Sequence, residues 1–245
     1  MPVEIPDNVF AEAVREFWRT RAQQIAQHRQ RGGADVGFRA AATGGKQMLG
    51  FARKIQEMLK CVGLDEQDIF LGPKAAVLPG FYRPSKEWDL LVVRKGRLLA
   101  AVELKSQMGP SFGNNFNNRV EEAIGTAVDL WTAHREMLFE APSSPWLGYF
   151  LVLENCEASH RPVHVQEPHF KVLAEFQETS YAQRYELFCR KLVHERQYTA
   201  ACLLLVKEED AVRRKNYEEP ANDLSAKRFL VQLLAHVMAE LSAEG

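Results

Sequence analysis

From Trp88 to Ser106 the chain reads Trp-Asp-Leu-Leu-Val-Val, then Arg-Lys-Gly-Arg, then Leu-Leu-Ala-Ala-Val-Glu-Leu-Lys-Ser. Two short aliphatic runs rich in leucine and valine, joined by a charged turn that contains glycine, are a β-hairpin pattern. Three charges interrupt it. Asp89 opens the first strand; Glu103 and Lys105 lie two residues apart near the end of the second and so share a face of the sheet. With the turn centred on Gly96, Asp89 falls opposite Glu103. Two carboxylates and an ammonium then converge at one edge. Unpaired charges in a sheet are expensive to bury, so these groups either pair with one another or hold a cation.

Paired carboxylate oxygens suit a hard cation such as Mg²⁺, which takes one or two carboxylates together with substrate phosphate oxygens. A lysine beside them can orient or help deprotonate an attacking water and offset the charge that develops on a phosphoryl group. The spacing Asp-x13-Glu-x-Lys is the signature of the PD-(D/E)xK nucleases. The same spacing also arises by chance, and then describes a surface hairpin with an ordinary cross-strand ion pair.

The flanking segments go further. Pro79-Gly80, Tyr82-Arg83-Pro84, Lys86, Trp88-Asp89, Val102 to Ser106, the run Gly109-Pro-Ser-Phe-Gly-Asn-Asn-Phe-Asn-Asn-Arg119, and Glu121 to Ala127 form one extended pattern. Through these residues the chain over 78–130 closely resembles the XhoI-like type II restriction endonucleases. Shorter matches lie at Gly44-Gly45-Lys46, Gly50-Phe51, Pro168-His169-Phe170, Ser180-Tyr181, Arg184-Tyr185-Glu186 and Cys189 to Leu192. The resemblance implies Mg²⁺-dependent cleavage of double-stranded DNA at a palindromic hexamer, CTCGAG. Asp89 and Glu103 match the family's metal ligands and Lys105 its catalytic lysine. Trp88, where the broader motif has proline, is a departure at a position that does no chemistry. A restriction enzyme also implies a DNA methyltransferase of the same specificity as its functional counterpart, and a palindromic target implies a homodimer.

The chain has 245 residues, 46% hydrophobic and 26% charged, which fits one nuclease domain over 1–245. The catalytic core is expected at about 46–155, with DNA-recognition and dimerisation elements in 156–245. No apolar run approaches the roughly 20 residues that cross a bilayer. The start, Met-Pro-Val-Glu-Ile-Pro-Asp, has neither a basic start nor the apolar centre of a signal peptide, so the expected location is cytoplasmic. Cysteines 61, 156, 189 and 202 form no Cys-x-x-Cys pair and are expected to be reduced. A net charge of −1 argues against a protein that coats DNA indiscriminately, because such affinity comes from phosphate neutralisation. Positive charge is local instead: Arg15, Arg19, Arg21, Arg29 and Arg31; Arg83, Lys86, Arg94, Lys95 and Arg97; Arg184, Arg190, Lys191 and Arg196.

Periodicity predicts helices at 8–30, 46–60, 118–139, 180–195 and 223–242, and strands within 68–82, in the hairpin, at 146–154 and at 200–206. Gly32-Gly33 stop the first helix. The predicted class is α/β, a restriction-endonuclease-like core of order α-β-β-β-α-β. Its mixed central sheet is flanked by helices, with helical additions at both ends. The apolar stripe of 223–242 suits either a dimer face or core packing.

The segment 109–119 reads as an amide-rich loop. Asn114, Asn115, Asn117, Asn118 and Arg119 can pair with base edges in the major groove, grip phosphate, or serve as turn and cap residues. Further DNA contacts are expected from Arg83, Lys86, Gln107, Arg184, Arg190 and Lys191. His160, His164 and His169 lack the spacing of a zinc site. Glu57 offers a third carboxylate, but a solvent-facing position suits it better. Two other functions share these features: a repair or recombination nuclease of the same fold, and a non-catalytic DNA-binding module.

Overall fold

The computed structural model of the chain describes residues 3–30, 45–139 and 143–243. The expected stop at Gly32-Gly33, the glycine-rich stretch through Gly44 and Arg31 lie outside the described residues, as does the side chain of Arg29.

Two helices lead: α1 (Ala11–Gln30) and, after a 3-10 turn at Gly45–Met48, α2 (Leu49–Cys61). Strands β1 (Ile69–Leu71), β2 (Val77–Pro79), β3 (Ser85–Glu87), β4 (Leu90–Arg94) and β5 (Arg97–Gln107) follow. Then come α3 (Phe112–Arg135), β6 (Trp146–Glu154), the short α4 (Glu157–His160), α5 (Tyr181–His194), β7 (Ala200–Val206), β8 (Tyr217–Glu218) and α6 (Ala226–Ser242). The central sheet has the order β1-β4-β5-β6-β7-β8. Its middle pairs, β5 with β6 and β6 with β7, are parallel, and its outer pairs are antiparallel. Strands β2 and β3 pair only with each other, in a separate two-stranded sheet.

Side-chain alternation divides the sheet between two cores. Along β6, Trp146, Phe150 and Val152 join Phe10, Phe17, Phe51 and Phe229 under α1, α2 and α6. Leu147, Tyr149, Leu151 and Leu153 point the other way, among Phe112, Tyr185 and Phe188 of α3 and α5. The stripe of α6 is therefore core: Phe229 meets Trp146 at 5.0 Å and Phe150 at 5.5 Å between ring centroids. Phe229, Leu230, Leu233, Leu234 and Val237 of the stripe are buried there, which removes it as a dimer face.

Two expectations change. The strand within 68–82 divides into β1 and β2, and β3 was not foreseen; three-residue strands carry too little alternation to read. The amide-rich segment is helical from Phe112 onward, because Phe112, Phe116 and Val120 recur every fourth residue and dock on α5. Phe112 stacks on Tyr181 at 5.7 Å and Phe116 meets Tyr185 edge-on at 5.0 Å. That packing overrides the weak helix propensity of the four asparagines and Gly113. At the other end α3 stops at Arg135, and Met137 adopts a left-handed φ of 58°.

Candidate active site

The β4–β5 hairpin turns through Lys95 and Gly96, both left-handed at φ 49° and 78°, the geometry of a two-residue type I′ turn. Arg94 pairs with Arg97, so the turn is centred between Lys95 and Gly96 rather than on Gly96. Continued regularly, that register would set Asp89 opposite Val102. A β-bulge intervenes: between Val93↔Leu98 and Val92↔Ala100 the register shifts, leaving Leu99 as an extra residue in β5. Beyond it Leu90 pairs with Val102, and Asp89, one residue before β4, faces Glu103. The bulge also turns Glu103 and Lys105 to the α3–α5 face, since a slip of one residue reverses every side chain.

Four charged groups meet there. Lys105 Nζ lies 2.5 Å from Glu103 Oε1, and Lys86 Nζ, reaching in from β3, lies 2.9 Å from Glu103 Oε2. Asp89 Oδ2 accepts the backbone N–H of Leu104 at 2.7 Å. Glu103 is 3% exposed, whereas Asp89 and Lys105 are half-buried. From α3, Arg119 donates to Ser106 O at 3.3 Å and pairs with Glu122 at 2.5 Å; Glu122 in turn stands 3.9 Å from Lys105 Nζ.

Burial is the largest influence on all three titrating groups. It drives Asp89 upward, and the charge of Glu103 adds to it, so the carboxyl is pushed up to about 6. Burial also acts to raise Glu103, but the ammoniums of Lys105 and Lys86 together overcome it and hold that carboxyl below its ordinary value. At Lys105 burial acts downward and Glu103 prevails, so the ammonium is favoured. A lysine whose charged form is favoured suits charge compensation and hydrogen-bond donation better than proton abstraction.

The imbalance at Asp89 tests the fit to a metal. Its Oδ2 is engaged by Leu104, its Oδ1 accepts no hydrogen bond among the described residues, and its charge is disfavoured by burial and by Glu103. A divalent cation held between the two carboxylates would offset their mutual repulsion. An oxygen-only donor set of this kind suits Mg²⁺.

The other expected contacts are placed less uniformly. Gln107 is buried: its amide donates to Met108 O at 2.9 Å and accepts from Tyr185 OH at 3.3 Å, which ties β5 to α5 and withdraws it from any ligand. Arg190 is held by Asp223 at 2.8 Å and by Glu186 at 2.5 Å, Lys191 pairs with Glu175, and Arg184 donates to Val163 O at 2.8 Å and Thr179 Oγ1 at 3.1 Å. These three brace α5 against its surroundings. Arg94 and Arg97 likewise pair with Asp68 at 2.5 Å and Glu240 at 2.6 Å. Asn114, Asn117 and Asn118 are exposed on the first turns of α3, and Asn115 is half-buried one turn before Arg119. Glu57 is exposed and pairs with Lys54.

Sequence reasoning missed Asp129. Buried on α3, it accepts the N–H groups of Phe81 and Tyr82 at 2.9 and 2.8 Å and Arg83 Nε at 2.6 Å. It thereby fastens the 80–84 segment that delivers β3 and Lys86. Gly80 is required by this close approach, because a Cβ there would lie 2.7 Å from Asp129 Oδ2. An isolated aspartate among apolar helix residues was the available signal.

A mixed sheet with this order, flanked by helices on both faces, is the restriction-endonuclease-like fold. The chain belongs to the XhoI restriction endonuclease family: the family model described as Restriction endonuclease XhoI matches residues 27–219. It is 52% identical over 218 residues to the type II restriction enzyme BstVI of Geobacillus stearothermophilus, covering 87% of this chain and 96% of that protein. It is also 44% identical over 188 residues to the type II restriction enzyme XhoI of Xanthomonas vasicola, covering 76% and 75% respectively. With AbrI of Azospirillum brasilense, another type II restriction enzyme, identity is 42% over 160 residues, covering 65% and 72%. No solved structure matches the chain. The chain is thus a nuclease of the type II restriction class, which acts on double-stranded DNA. Among the described residues no helix is long and apolar enough to cross a membrane.

Proposed function

We propose that this chain hydrolyses both strands of DNA at CTCGAG with Mg²⁺, using Asp89 and Glu103 as metal ligands and Lys105 as the catalytic lysine. The observation that carries the reading is the convergence of these three side chains beside the end of β5, with Asp89 Oδ1 accepting no hydrogen bond among the described residues. Bound there, Mg²⁺ would polarise the scissile phosphate and favour the attacking hydroxide. Glu103 keeps Lys105 protonated and holds its ammonium beside the carboxylates, where it donates to the phosphate or to the attacking water and offsets the growing negative charge. Leu104 N–H fixes Asp89 in place, and Arg119 steadies the end of β5 through Ser106 O.

The first turns of α3, with Asn114, Asn115, Asn117, Asn118 and Arg119, form the reading surface in this proposal, and Arg83 and Lys86 flank it. Residues 1–245 act as one nuclease domain, with 46–155 as its core, and two copies act on one palindrome. A DNA methyltransferase of the same specificity protects the host DNA, and the enzyme works in the cytoplasm. Incubation with phage DNA, with and without Mg²⁺, tests the reading. Discrete fragments ending at CTCGAG and seen only with the metal are expected. Random nicking would point to a repair nuclease, and intact DNA to a binding module.

A further inference from the structure

Lys86 belongs to no catalytic motif, yet it occupies the centre of the site. It comes from β3, outside the central sheet. Its Nζ is held by three partners: Glu103 Oε2 at 2.9 Å, Glu87 O at 3.1 Å, and the ring of Trp88 at 4.8 Å from its centroid. The side chain is 13% exposed. A lysine meant only to meet DNA phosphate has no need of such a socket.

Its effect follows from the charges present. Lys86 and Lys105 balance Asp89 and Glu103, and the neighbouring Arg119 and Glu122 balance each other. Each oxygen of Glu103 already has an ammonium beside it as an ion pair, although Oε2 accepts no hydrogen bond among the described residues. A divalent cation entering this neutral, largely buried cluster must displace Lys86 from Oε2 and leaves an excess of two positive charges. That excess is costly in a desolvated site unless an anion enters as well. A DNA phosphate is such an anion, and it also gives the released ammonium a partner. Without Lys86 the cluster carries an uncompensated negative charge and attracts the cation unaided.

We propose that Lys86 closes the metal position in the DNA-free enzyme and makes divalent-cation binding conditional on a DNA phosphate. The proposal rests on Asp89 and Glu103 being the metal ligands. It makes Lys86 a gating residue that keeps the nuclease unloaded away from DNA. By linkage, metal must then favour DNA to the same degree that DNA favours metal.

Titration of the DNA-free protein with Mn²⁺, counting the free ion by electron paramagnetic resonance, tests this without cleavage. Lys86→Met keeps an unbranched, largely apolar side chain of nearly the same length while removing the charge and the Nζ contact with Trp88. It should bind Mn²⁺ about ten-fold more tightly than wild type, within the range of roughly 5- to 150-fold usual for coupled sites. Lys86→Gln should show the same gain, so that poor folding of one variant does not decide the matter. Lys86→Arg should stay near wild type. Uncharged variants that bind no more tightly than wild type overturn the proposal. A gain that survives in the Lys86→Met, Glu103→Gln double variant also overturns it, since the metal is then not on Glu103. Unchanged wild-type affinity on Glu103→Gln alone would instead refute the carboxylate site itself.

Discussion

The backbone N–H of Leu104 donates to Asp89 Oδ2 at 2.7 Å across the hairpin, so the residue between Glu103 and Lys105 holds the third member of the cluster. The side chain of Leu104 points the other way, buried in the core beneath α1, α2 and α6. The site is therefore anchored from behind by apolar packing and in front by one hydrogen bond. That bond favours the ionised form of Asp89, but burial and Glu103 outweigh it.

Metal-free protein should consequently lose stability as pH rises. A carboxyl held at about 6 when folded, against an ordinary value of 3.8, binds its proton more tightly in the native chain. Its contribution is complete below the unfolded value and is lost as pH rises through the folded one, by about 1–2 kcal/mol after allowance for solvent screening. Denaturant midpoints of wild type should fall between pH 4.5 and 7.5 relative to those of Asp89→Asn. Identical profiles would mean that Asp89 is not the strained group.

Lys105→Ala should lower the rate of the chemical step by about 10²–10³-fold, the usual effect of removing one preorganised donor to a developing charge. Single-turnover cleavage on saturated complexes isolates that step. A variant that cuts at the wild-type rate once enough protein is present would reduce Lys105 to an affinity role.

Asp129→Ala removes the acceptor of two backbone N–H groups and one guanidinium. Global stability is expected to drop by about 2–4 kcal/mol. Gly80→Ala, which forces a methyl against the same carboxylate, should also be destabilising. Because this clamp delivers β3, both variants should cleave more slowly even where folded. Normal activity and an unchanged melting point in either would contradict the clamp.

Alanine at Asn114, Asn115, Asn117, Asn118 and Arg119 should separate into two kinds. Loss of a base contact costs about 1–3 kcal/mol at one position of the site, whereas loss of a phosphate contact weakens every sequence and lowers the salt slope by about one unit. Binding to CTCGAG and to its single-base variants at several salt concentrations sorts them. At least one asparagine should show the first behaviour; if all five leave affinity and discrimination untouched, recognition lies elsewhere on the molecule.

Sedimentation of the enzyme with a CTCGAG duplex in Ca²⁺ should give two chains per duplex, as a two-fold symmetric target requires. One chain per duplex would exclude paired action. The α6 stripe, buried on the sheet, is not the surface to mutate in search of the interface.

Much of the scaffold was legible because it is encoded by near neighbours. Alternation and apolar runs marked β4, β5, β6 and β7, and helical periodicity marked α1, α2, α5 and α6. The sequence by itself also put Asp89, Glu103 and Lys105 at one end of a hairpin, since strand geometry leaves few alternatives to a two-residue spacing. Partners distant in the chain decided the rest. Phe112 and Phe116 made a helix of an asparagine-rich segment because Tyr181 and Tyr185 were there to receive them. Leu99 supplied the bulge that turned the register onto Glu103. Asp129 gathered in the 80–84 segment, and Lys86 came to rest on Glu103 instead of pointing outward. Local pattern fixes which way a side chain leaves the backbone, but only tertiary contact determines which charge it finds there, and so which charges remain for a ligand.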